Sequence, residues 1–159
     1  MKILIVSDTH GCLSKLEEAL EREEPIDRLI HLGDVEGDED YIRALTDAEV
    51  DMVAGNNDYF SDLPGEKLLK IGKHQILITH GHFYRPGMGV EMLRREGLER
   101  GADIVMYGHT HRPFLEKKNG LTVLNPGSLT YPRQEGRKPS YMIMEIDASG
   151  KTHFDLRFL

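Results

Sequence analysis

The sequence predicts an α/β fold, and the order of its short apolar runs is the main reason. In the first two-thirds of the 159-residue chain, apolar runs of strand length alternate with segments whose apolar residues repeat at helical spacing. The last third has closely spaced apolar runs separated by turn residues, which is typical of antiparallel hairpins. We therefore expect a single domain spanning residues 1–159, with parallel strands first and antiparallel strands later, in one mixed sheet or two packed sheets.

The first half of the chain contains three predicted buried strands and two predicted helices. The apolar runs that predict the strands lie at residues 3–6, 28–32 and 50–54. Leu13, Leu16 and Leu20 repeat at helical spacing and predict a first helix that ends near Pro25. Residues 38–45 predict a second helix, which begins within an acidic run that lacks the ligand spacing of a calcium loop.

The second half of the chain contains three predicted hairpins, a third helix and a further strand. The paired hairpin strands are residues 68–71 with 75–79, 114–117 with 121–124, and 141–146 with 152–158. Asn119-Gly120 is a strong signal for a type I′ turn in the second hairpin. Residues 83–89 predict a loop, 90–98 a helix and 102–107 a strand, and residues 125–128 predict a turn.

The composition argues against several classes of protein. The net charge of −7, without a long basic run, weakens an interpretation as a binder of long nucleic acid. A single cysteine, Cys12, excludes an internal disulfide and a thiolate-rich zinc site. No apolar run is long enough to span a bilayer, and Asp8 follows the first apolar run too early for a signal peptide. We therefore expect a cytoplasmic protein that does not associate with membranes.

Polar side chains that can bind metal ions follow the apolar runs repeatedly. These residues are Asp8, His10, Asp34, Asn56, His80, His109 and His111. Because ligands gather at the carboxyl ends of strands in α/β sheets, we expect the seven side chains to form one site. Two divalent ions roughly 3.5–4 Å apart can clamp both oxygens of an in-line phosphoryl displacement. Asp34, on a tight glycine turn, is the predicted bridge between the two ions.

The ligand types also predict which metal the site takes. The set combines imidazole, carboxylate and amide groups and contains no thiolate. Such a set suits Mn²⁺, and Fe, Ni, Co or Zn would also fit. We therefore expect two divalent metal ions as cofactors, with Mn²⁺ favoured.

Five ordered blocks of the sequence resemble the calcineurin-like metallophosphoesterases. The blocks are Asp8-Thr9-His10, Gly33-Asp34, Gly55-Asn56-Asn57-Asp58, His80 and Gly108-His109-Thr110-His111. They span nearly the whole chain in the order of the family, and all five together are highly specific. The short length and Asn125-Pro126-Gly127-Ser128 are similar to the small prokaryotic phosphodiesterase subfamily, which is itself similar to a retromer subunit of eukaryotes.

The resemblance implies a fold, a division of the ligands and an activity. The implied fold is a four-layer αββα sandwich of mixed β-sheets flanked by helices. The implied ligands are Asp8, His10, Asp34 and His111 for one ion, and Asp34, Asn56, His80 and His109 for the other. The implied activity is hydrolysis of small phosphodiesters, in which a metal-bridging hydroxide attacks phosphorus. A homodimer is implied only at the level of the family.

Asn57 departs from the wider family, whose third block often reads Gly-Asn-His-Asp or Gly-Asn-His-Glu. That histidine is thought to protonate the leaving group or to bind phosphate. The neutral amide of Asn57 can donate a hydrogen bond but cannot act as a general acid at pH 7. His82 could line the substrate pocket, and either His82 or a metal-bound water could supply the proton instead. The candidate catalytic residues are therefore Asp34, Asn57 and His82.

Residues near the blocks have both functional and structural interpretations. Asn57, His82, Asn125, Ser128 and Arg133 are the candidate substrate contacts, although turn chemistry explains Asn125 and Ser128 equally well. Structural roles are expected for five others: His31 in the core, His74 and His153 at the surface, Cys12 as a small buried residue, and Asp58 in a turn that aims Asn56.

Two other functions fit the same residues. One is a metal-dependent protein-interaction module, which the resemblance to the retromer subunit allows. The intact set of seven ligands argues against it, since a scaffold does not need them. The other is a phosphomonoesterase or nuclease that uses the same site, although the acidic charge disfavours long polymers. We therefore expect a small phosphodiester as the binding partner.

Overall fold

The computed structural model describes residues 1–159 and contains ten strands and three α-helices. The elements of the first third are β1 (Lys2–Val6), α1 (Ser14–Glu23), β2 (Arg28–His31), α2 (Glu39–Ala44) and β3 (Glu49–Met52). The remaining elements are β4 (Glu66–Ile71), β5 (His74–Thr79), α3 (Glu91–Glu99), β6 (Ile104–Met106), β7 (Pro113–Lys118), β8 (Leu121–Pro126), β9 (Ser140–Ile146) and β10 (Thr152–Phe158). Every strand and helix predicted from the sequence is present.

The strands form two five-stranded mixed sheets, ordered β10-β9-β1-β2-β3 and β4-β5-β6-β8-β7. Strands β1, β2 and β3 are parallel, and β9 and β10 extend the same sheet in antiparallel fashion. Strands β5, β6 and β8 are parallel, with β4 and β7 as antiparallel edges. The predicted hairpins are therefore present, but β8 also pairs in parallel with β6, which the hairpin pattern did not indicate.

The two sheets pack face to face, and helices cover their outer faces. A cluster of 13 buried residues lies between the sheets and draws on both, for example Ile3 and Ile5 from β1 with Ile76 and Ile78 from β5. A second cluster joins β1 and β2 to α1 and α2, and a third joins β5, β6 and β8 to α3. The resulting order of layers is helix, sheet, sheet, helix, which confirms the four-layer αββα fold. None of the helices has both the length and the apolar character that a membrane span requires.

Three local predictions were wrong. Cys12 is exposed, because it lies in the loop before α1 and not beneath it. His74 is buried and not on the surface, with Nδ1 2.5 Å from an Asp103 carboxylate oxygen and Nε2 2.8 Å from the Gly150 carbonyl oxygen. Strand β8 continues through Pro126, so the predicted turn begins only at Gly127, whose φ is +85°. His31 is fully buried, as predicted.

Glu23 connects α1 to the first sheet, and its replacement is expected to destabilise the fold. Its buried carboxylate lies 2.8 Å from Lys2 Nζ and accepts a 2.9 Å hydrogen bond from the Tyr141 hydroxyl. Glu23→Gln should lower the free energy of unfolding by about 1–3 kcal/mol, the cost of leaving buried partners unsatisfied. Chemical denaturation measures this loss, and Glu24→Gln, next in the chain and exposed, is the control.

The effect of Glu23→Gln should also depend on pH. Burial alone would raise the pKa of Glu23, but the hydrogen bonds from Lys2 and Tyr141 outweigh burial and lower it. A carboxyl group whose pKa is lowered by folding stabilises the folded state fully when the pH is above its pKa in the unfolded chain. This stabilisation is lost as the pH falls through its pKa in the folded chain. The difference in stability between Glu23→Gln and the wild type should therefore shrink under acidic conditions. A difference that grows on acidification would contradict this assignment.

Candidate metal centre

The seven predicted metal ligands lie together where the parallel strands end. Asp8 follows β1, Asp34 follows β2, Asn56 follows β3, His80 follows β5, and His109 and His111 follow β6. The carboxyl ends of the parallel strands in both sheets face one edge of the sandwich, so loops far apart in the sequence meet there. The backbone NH of Asp8 donates to the carbonyl of Gly33, and the NH of Gly108 donates to the carbonyl of His80. These bonds join neighbouring loops within each sheet.

Five of the seven residues have a left-handed backbone conformation. Their φ angles are +56° for Asp8, +48° for His10, +55° for Asp34, +67° for His109 and +56° for His111. Such a conformation is uncommon for residues with a Cβ atom and costs of order 1–3 kcal/mol each, so it persists only where the surroundings impose it. Backbone strain of this kind is found most often at functional sites. Here the left-handed conformation directs the five side chains toward the same space.

Three histidine rings at the centre each have Nδ1 held by an oxygen atom. Nδ1 of His10 lies 2.7 Å from Glu36 Oε1, and Nδ1 of His80 lies 2.7 Å from the Leu32 carbonyl oxygen. Nδ1 of His111 lies 2.8 Å from the Tyr131 carbonyl oxygen. Because a carbonyl or carboxylate oxygen only accepts, we assign the ring proton to Nδ1 in all three. The Nε2 lone pairs are thereby free to bind a cation.

These Nε2 atoms face other acceptors instead of donors. Nε2 of His111 lies 3.0 Å from Asp8 Oδ1, and Nε2 of His10 lies 3.3 Å from Nε2 of His111. Nε2 of His80 lies 3.1 Å from Asn56 Oδ1 and 3.5 Å from Asp34 Oδ2. Asp8 Oδ1 is buried without a hydrogen-bond donor. Converging lone pairs and a buried carboxylate repel one another unless a cation or an added proton lies between them. This donor set fits divalent metal ions.

The ligand atoms fall into two overlapping groups. Asp8, His10 and His111 form one group, and Asp8, Asp34 and His80 form the other, with the ligand atoms of each within 4.8 Å of one another. Asp34 Oδ2 also lies 3.8 Å from Nε2 of His10, so both carboxylates stand between the two sets of histidines. The two groups are therefore candidate positions for metal binding, and they have Asp8 in common.

His109 completes the side of the centre near His80. The two ring centroids are 5.2 Å apart, and the backbone NH of His109 donates to Asp8 Oδ2 at 3.2 Å. Burial and the neighbouring His80 ring lower the pKa of His109. Lowering this pKa keeps the ring neutral at pH 7, which is the form that binds metal ions. For His111, burial lowers the pKa, but a proton added at Nε2 would donate to the Asp8 carboxylate, and this bond and the charge of Asp8 outweigh burial and raise the pKa.

Two glycines are required because the loops approach each other closely. A Cβ atom on Gly55 would lie 2.1 Å from Asp34 Oδ1, and one on Gly108 would lie 2.0 Å from Ser7 Oγ. Both contacts are far shorter than van der Waals separation, so only glycine fits at either position. The glycines in the third and fifth sequence blocks therefore serve to bring Asp34 and Asp8 into the centre.

Asn57 contacts Asp34 and holds its carboxylate in place. Its backbone NH donates to Asp34 Oδ1 at 2.9 Å, and its Nδ2 donates to Asp34 Oδ2 at 2.8 Å. The carboxylate of Asp58 accepts from the backbone NH groups of Asp34, Glu36 and Gly55 at 2.6–2.8 Å. Asp58 therefore has the predicted structural role, and that role extends across two loops.

The other predicted contacts differ in their access to the site. Asn125 and Ser128 are fully buried: Asn125 Nδ2 donates to the Gly108 carbonyl, and Ser128 Oγ donates to the Asp8 carbonyl. Buried positions and hydrogen bonds to loop carbonyls favour a structural role for Asn125 and Ser128 over contact with a phosphate. Arg133 is exposed at the rim, with its backbone NH donating to the His111 carbonyl. His82 is half-buried, and its Nδ1 has no partner; burial and His80 lower its pKa.

Glu36 is a further candidate site residue, which the sequence analysis did not identify as one. It lies in an acidic loop with no ligand pattern, and only its contact with His10 Nδ1 in the folded chain reveals the role. A carboxylate partner of this kind orients a metal-binding histidine and raises its basicity. The one feature of the sequence that could have indicated this role is the position of Glu36, two residues after Asp34.

Replacing Glu36 is expected to weaken metal binding. Glu36→Gln removes the negative charge beside His10 Nδ1, so Nε2 becomes a weaker donor. We expect metal affinity to fall about 10–100-fold, measured by titrating the metal-free protein with Mn²⁺. Glu21→Gln, an exposed position on α1, is the matched control for the loss of one carboxylate. Equal affinities for the wild type and both variants would contradict the role assigned to Glu36.

Fold and site together define a class of protein, a metal-binding α/β sandwich of the phosphoesterase type. Residues 1–149 match the calcineurin-like phosphoesterase superfamily domain. The chain belongs to this superfamily, as the five sequence blocks predicted. Metal-dependent phosphoester hydrolysis is the activity after which the superfamily is named.

Proteins of this family from archaea and bacteria are similar to the chain over most of its length. A probable metallophosphoesterase of Methanothermobacter thermautotrophicus is 36% identical over 152 residues, covering 92% of this chain and 87% of that protein. Phosphodiesterase MJ0936 of Methanocaldococcus jannaschii is 32% identical, covering 80% and 83%. Phosphodiesterase YfcE of Escherichia coli is 29% identical, covering 92% and 89%.

Two solved structures illustrate the range of the fold. A predicted phosphoesterase of Streptococcus pneumoniae has a TM-score of 0.83 and 31% identity, covering 99% of this chain and 88% of that chain. Vps29 of Entamoeba histolytica in complex with Zn²⁺ has a TM-score of 0.79 and 26% identity, covering 99% of each chain.

Proposed function

We propose that this protein is a phosphodiesterase that hydrolyses small phosphodiesters with a pair of divalent metal ions. The observation that carries the proposal is the convergence of three Nε2 lone pairs on two buried carboxylates. Such a set is stable when cations occupy it, and the superfamily places phosphoester chemistry on this fold. The relatives named phosphodiesterase support the choice of a diester.

The proposed division of the ligands between the ions is the one that the resemblance to the family implies, and the proximity of Asp34 to both His10 and His80 supports it. Asp8, His10, Asp34 and His111 would hold one ion, and Asp34, Asn56, His80 and His109 would hold the other. When bound, the ions would activate a water molecule and stabilise the negative charge that develops on the phosphate group. We propose Mn²⁺ because imidazole, carboxylate and amide ligands suit it, with Fe, Ni, Co or Zn as further tests.

The chain itself supplies orientation and hydrogen-bond donors. Glu36, Leu32 and Tyr131 set the tautomers of the three histidines, which keeps their lone pairs directed inward. Asn57 orients Asp34 through two hydrogen bonds. His82, half-buried with a free Nδ1, is the titratable side chain available to assist the leaving group. These roles belong to groups fixed by the fold before substrate arrives, which is how such sites lower a reaction barrier.

Metal analysis followed by a substrate panel tests the proposal. The metal-free protein is reloaded with Mn²⁺, Zn²⁺, Ni²⁺, Co²⁺ or Fe²⁺, and the bound ions are counted. Each form is then assayed on aryl and nucleotide-like diesters, on the matching monoesters, and on long DNA and RNA. We expect two ions per chain, faster hydrolysis of the small diesters and weak salt dependence. Preferential turnover of monoesters or long polymers would overturn the substrate class.

Similarity to Vps29 supports a second candidate, a metal-dependent module for protein interaction. The similarity to the Entamoeba protein extends over 99% of both chains, so the fold alone does not separate the two functions. The same panel separates them. A protein that binds its ions but hydrolyses no phosphoester at any metal loading would support the module and exclude the phosphodiesterase.

A further inference from the structure

Two cavities beside the metal centre are lined by arginine and contain no carboxylate. The first, of about 440 Å³, reaches His109, and the second, of about 640 Å³, reaches Tyr131. Arg112 and Arg133 line both cavities, and Arg137 lines the second. The two cavities therefore adjoin at a pair of arginines, and each borders a residue that contacts the centre. We call Arg112, Arg133 and Arg137 the arginine cluster.

The charges of the arginine cluster are not paired with carboxylates. None of the three guanidinium groups makes an ion pair or a hydrogen bond with another residue. By contrast, five other arginines pair with carboxylates: Arg22, Arg28, Arg94, Arg100 and Arg157. The net charge of the chain is −7, with 27 acidic residues available to neutralise arginine. Three unneutralised arginines around one space therefore form a local positive field on an acidic protein.

Two of the three remaining large cavities are acidic. The cavity beside Asn57 and Asp58 is lined also by Glu36 and Glu39, and another is lined by residues 24–27 and 46–49, which include two glutamates and two aspartates. The third has one glutamate and one arginine. An anionic substrate that approaches the centre is repelled by the Glu36 side and attracted by the arginine cluster. The charges thus define the direction in which a substrate with extra negative charge would extend from the metal ions.

The arginine cluster is coupled to the metal centre through the backbone. Arg112 directly follows His111, and the backbone NH of Arg133 donates to the His111 carbonyl at 2.9 Å. The carbonyl of Tyr131 holds Nδ1 of His111, and the Tyr131 ring centroid is 5.2 Å from that of His10. The loop that contains Tyr131 and orients His111 therefore also contains Arg133. This shared loop fixes the distance between the metal centre and the arginine cluster.

We propose that the arginine cluster is a subsite for a second phosphate group on the substrate. This inference rests on the proposed phosphodiesterase function and narrows its substrate class to diesters that carry a further phosphate. Guanidinium groups match phosphate oxygens with paired hydrogen bonds, and a phosphate monoester carries close to two negative charges at pH 7. Such a dianion offsets the repulsion among the three positive guanidinium groups. A neutral substrate group would not offset this repulsion.

A matched pair of substrates tests the subsite. Thymidine 5′-(4-nitrophenyl phosphate) is compared with the same compound bearing a 3′-phosphate, using the Mn²⁺-loaded protein. The scissile diester and the leaving group are identical, so the ratio of the two kcat/KM values reports only the second phosphate. We expect a preference of roughly tenfold for the phosphorylated compound, because exposed charge pairs each contribute about twofold to fivefold.

Single replacements show which arginines cause the preference for the substrate with the second phosphate. Arg112→Gln, Arg133→Gln and Arg137→Gln should each lower the ratio about twofold to fivefold, and the triple variant should abolish it. Arg95→Gln is the matched control, because Arg95 on α3 is exposed, makes no ion pair and lines none of the five large cavities. An unchanged ratio in the triple variant, or an equal fall in the control, would overturn the subsite.

Binding measurements separate failure of the subsite from failure of the proposed function. Calorimetry compares thymidine 3′,5′-bisphosphate with thymidine 5′-monophosphate on the wild type and the triple variant. If no diester is hydrolysed but the bisphosphate binds more tightly through the cluster, the proposed function fails and the subsite stands. If the plain diester is hydrolysed and the second phosphate changes neither binding nor rate, the subsite alone fails. The protein could instead prefer a long oligonucleotide, with a steep salt dependence that the triple variant removes. That result would show that the arginines bind a nucleic-acid backbone, and it would overturn the proposal.

Discussion

Asp34→Asn is expected to lower phosphodiesterase turnover by roughly 10²–10³-fold, the loss typical when one preorganised electrostatic group is removed from an active site. Asp34 is almost fully buried and stands between the histidines of both ligand groups, 3.8 Å from Nε2 of His10 and 3.5 Å from Nε2 of His80. The amide of asparagine has no negative charge to separate two cations. Metal occupancy should therefore fall together with activity, measured by metal analysis after gel filtration.

The Asp34→Asn experiment needs a control for charge and for folding. Asp47→Asn, at an exposed loop position whose side chain makes no hydrogen bond or ion pair, removes one carboxylate elsewhere and should leave turnover and metal content unchanged. Denaturation of both variants checks that the loops around Asn57 remain in place. Two bound ions with near-wild-type turnover in Asp34→Asn would exclude Asp34 as the shared ligand.

Hydrolysis by the wild type is expected to slow steeply as the pKa of the leaving group rises. Asn57 occupies the position of the family's histidine, and its Nδ2 is already donating to Asp34 Oδ2 at 2.8 Å. A phenolate can leave without a proton, whereas an alkoxide needs one, and positioned acid catalysis contributes about 10²–10⁴-fold. Asn57→His should therefore accelerate poor leaving groups more than good ones. The measurement is kcat/KM across a series of diesters with graded leaving groups.

Two further variants make the leaving-group series interpretable. Asn57→Ala removes the hydrogen bond to Asp34 without adding an imidazole, so it reports the cost of disturbing Asp34 alone. His82→Ala tests whether His82 supplies the proton, which burial makes harder because it lowers the pKa of that ring. A flat dependence on the leaving group in the wild type that persists in His82→Ala would show that the absent histidine is not needed.

The candidate metal ligands, which the structure brings together, were predictable because they follow a simple physical pattern. Asp8, Asp34 and His80 are polar residues directly after apolar runs, a position that packing alone does not favour. The same pattern predicted the strands, since runs such as residues 3–6 are buried on both faces. His74 was predicted wrongly because its partners, Asp103 and the Gly150 carbonyl, are distant in the sequence. Single-residue burial depends on such partners, and local patterns do not contain them.

The sequence by itself determined the α/β order of elements, the family and the seven candidate ligand positions, because apolar periodicity and short motifs are local properties. Only the tertiary structure decided that β9 and β10 join the first sheet while β8 pairs in parallel with β6. It likewise decided that Glu36 supports His10, that Asn57 holds Asp34, and that three arginines surround a space free of carboxylates. Each of these features depends on groups brought together from distant loops, and their proximity results from packing two sheets face to face.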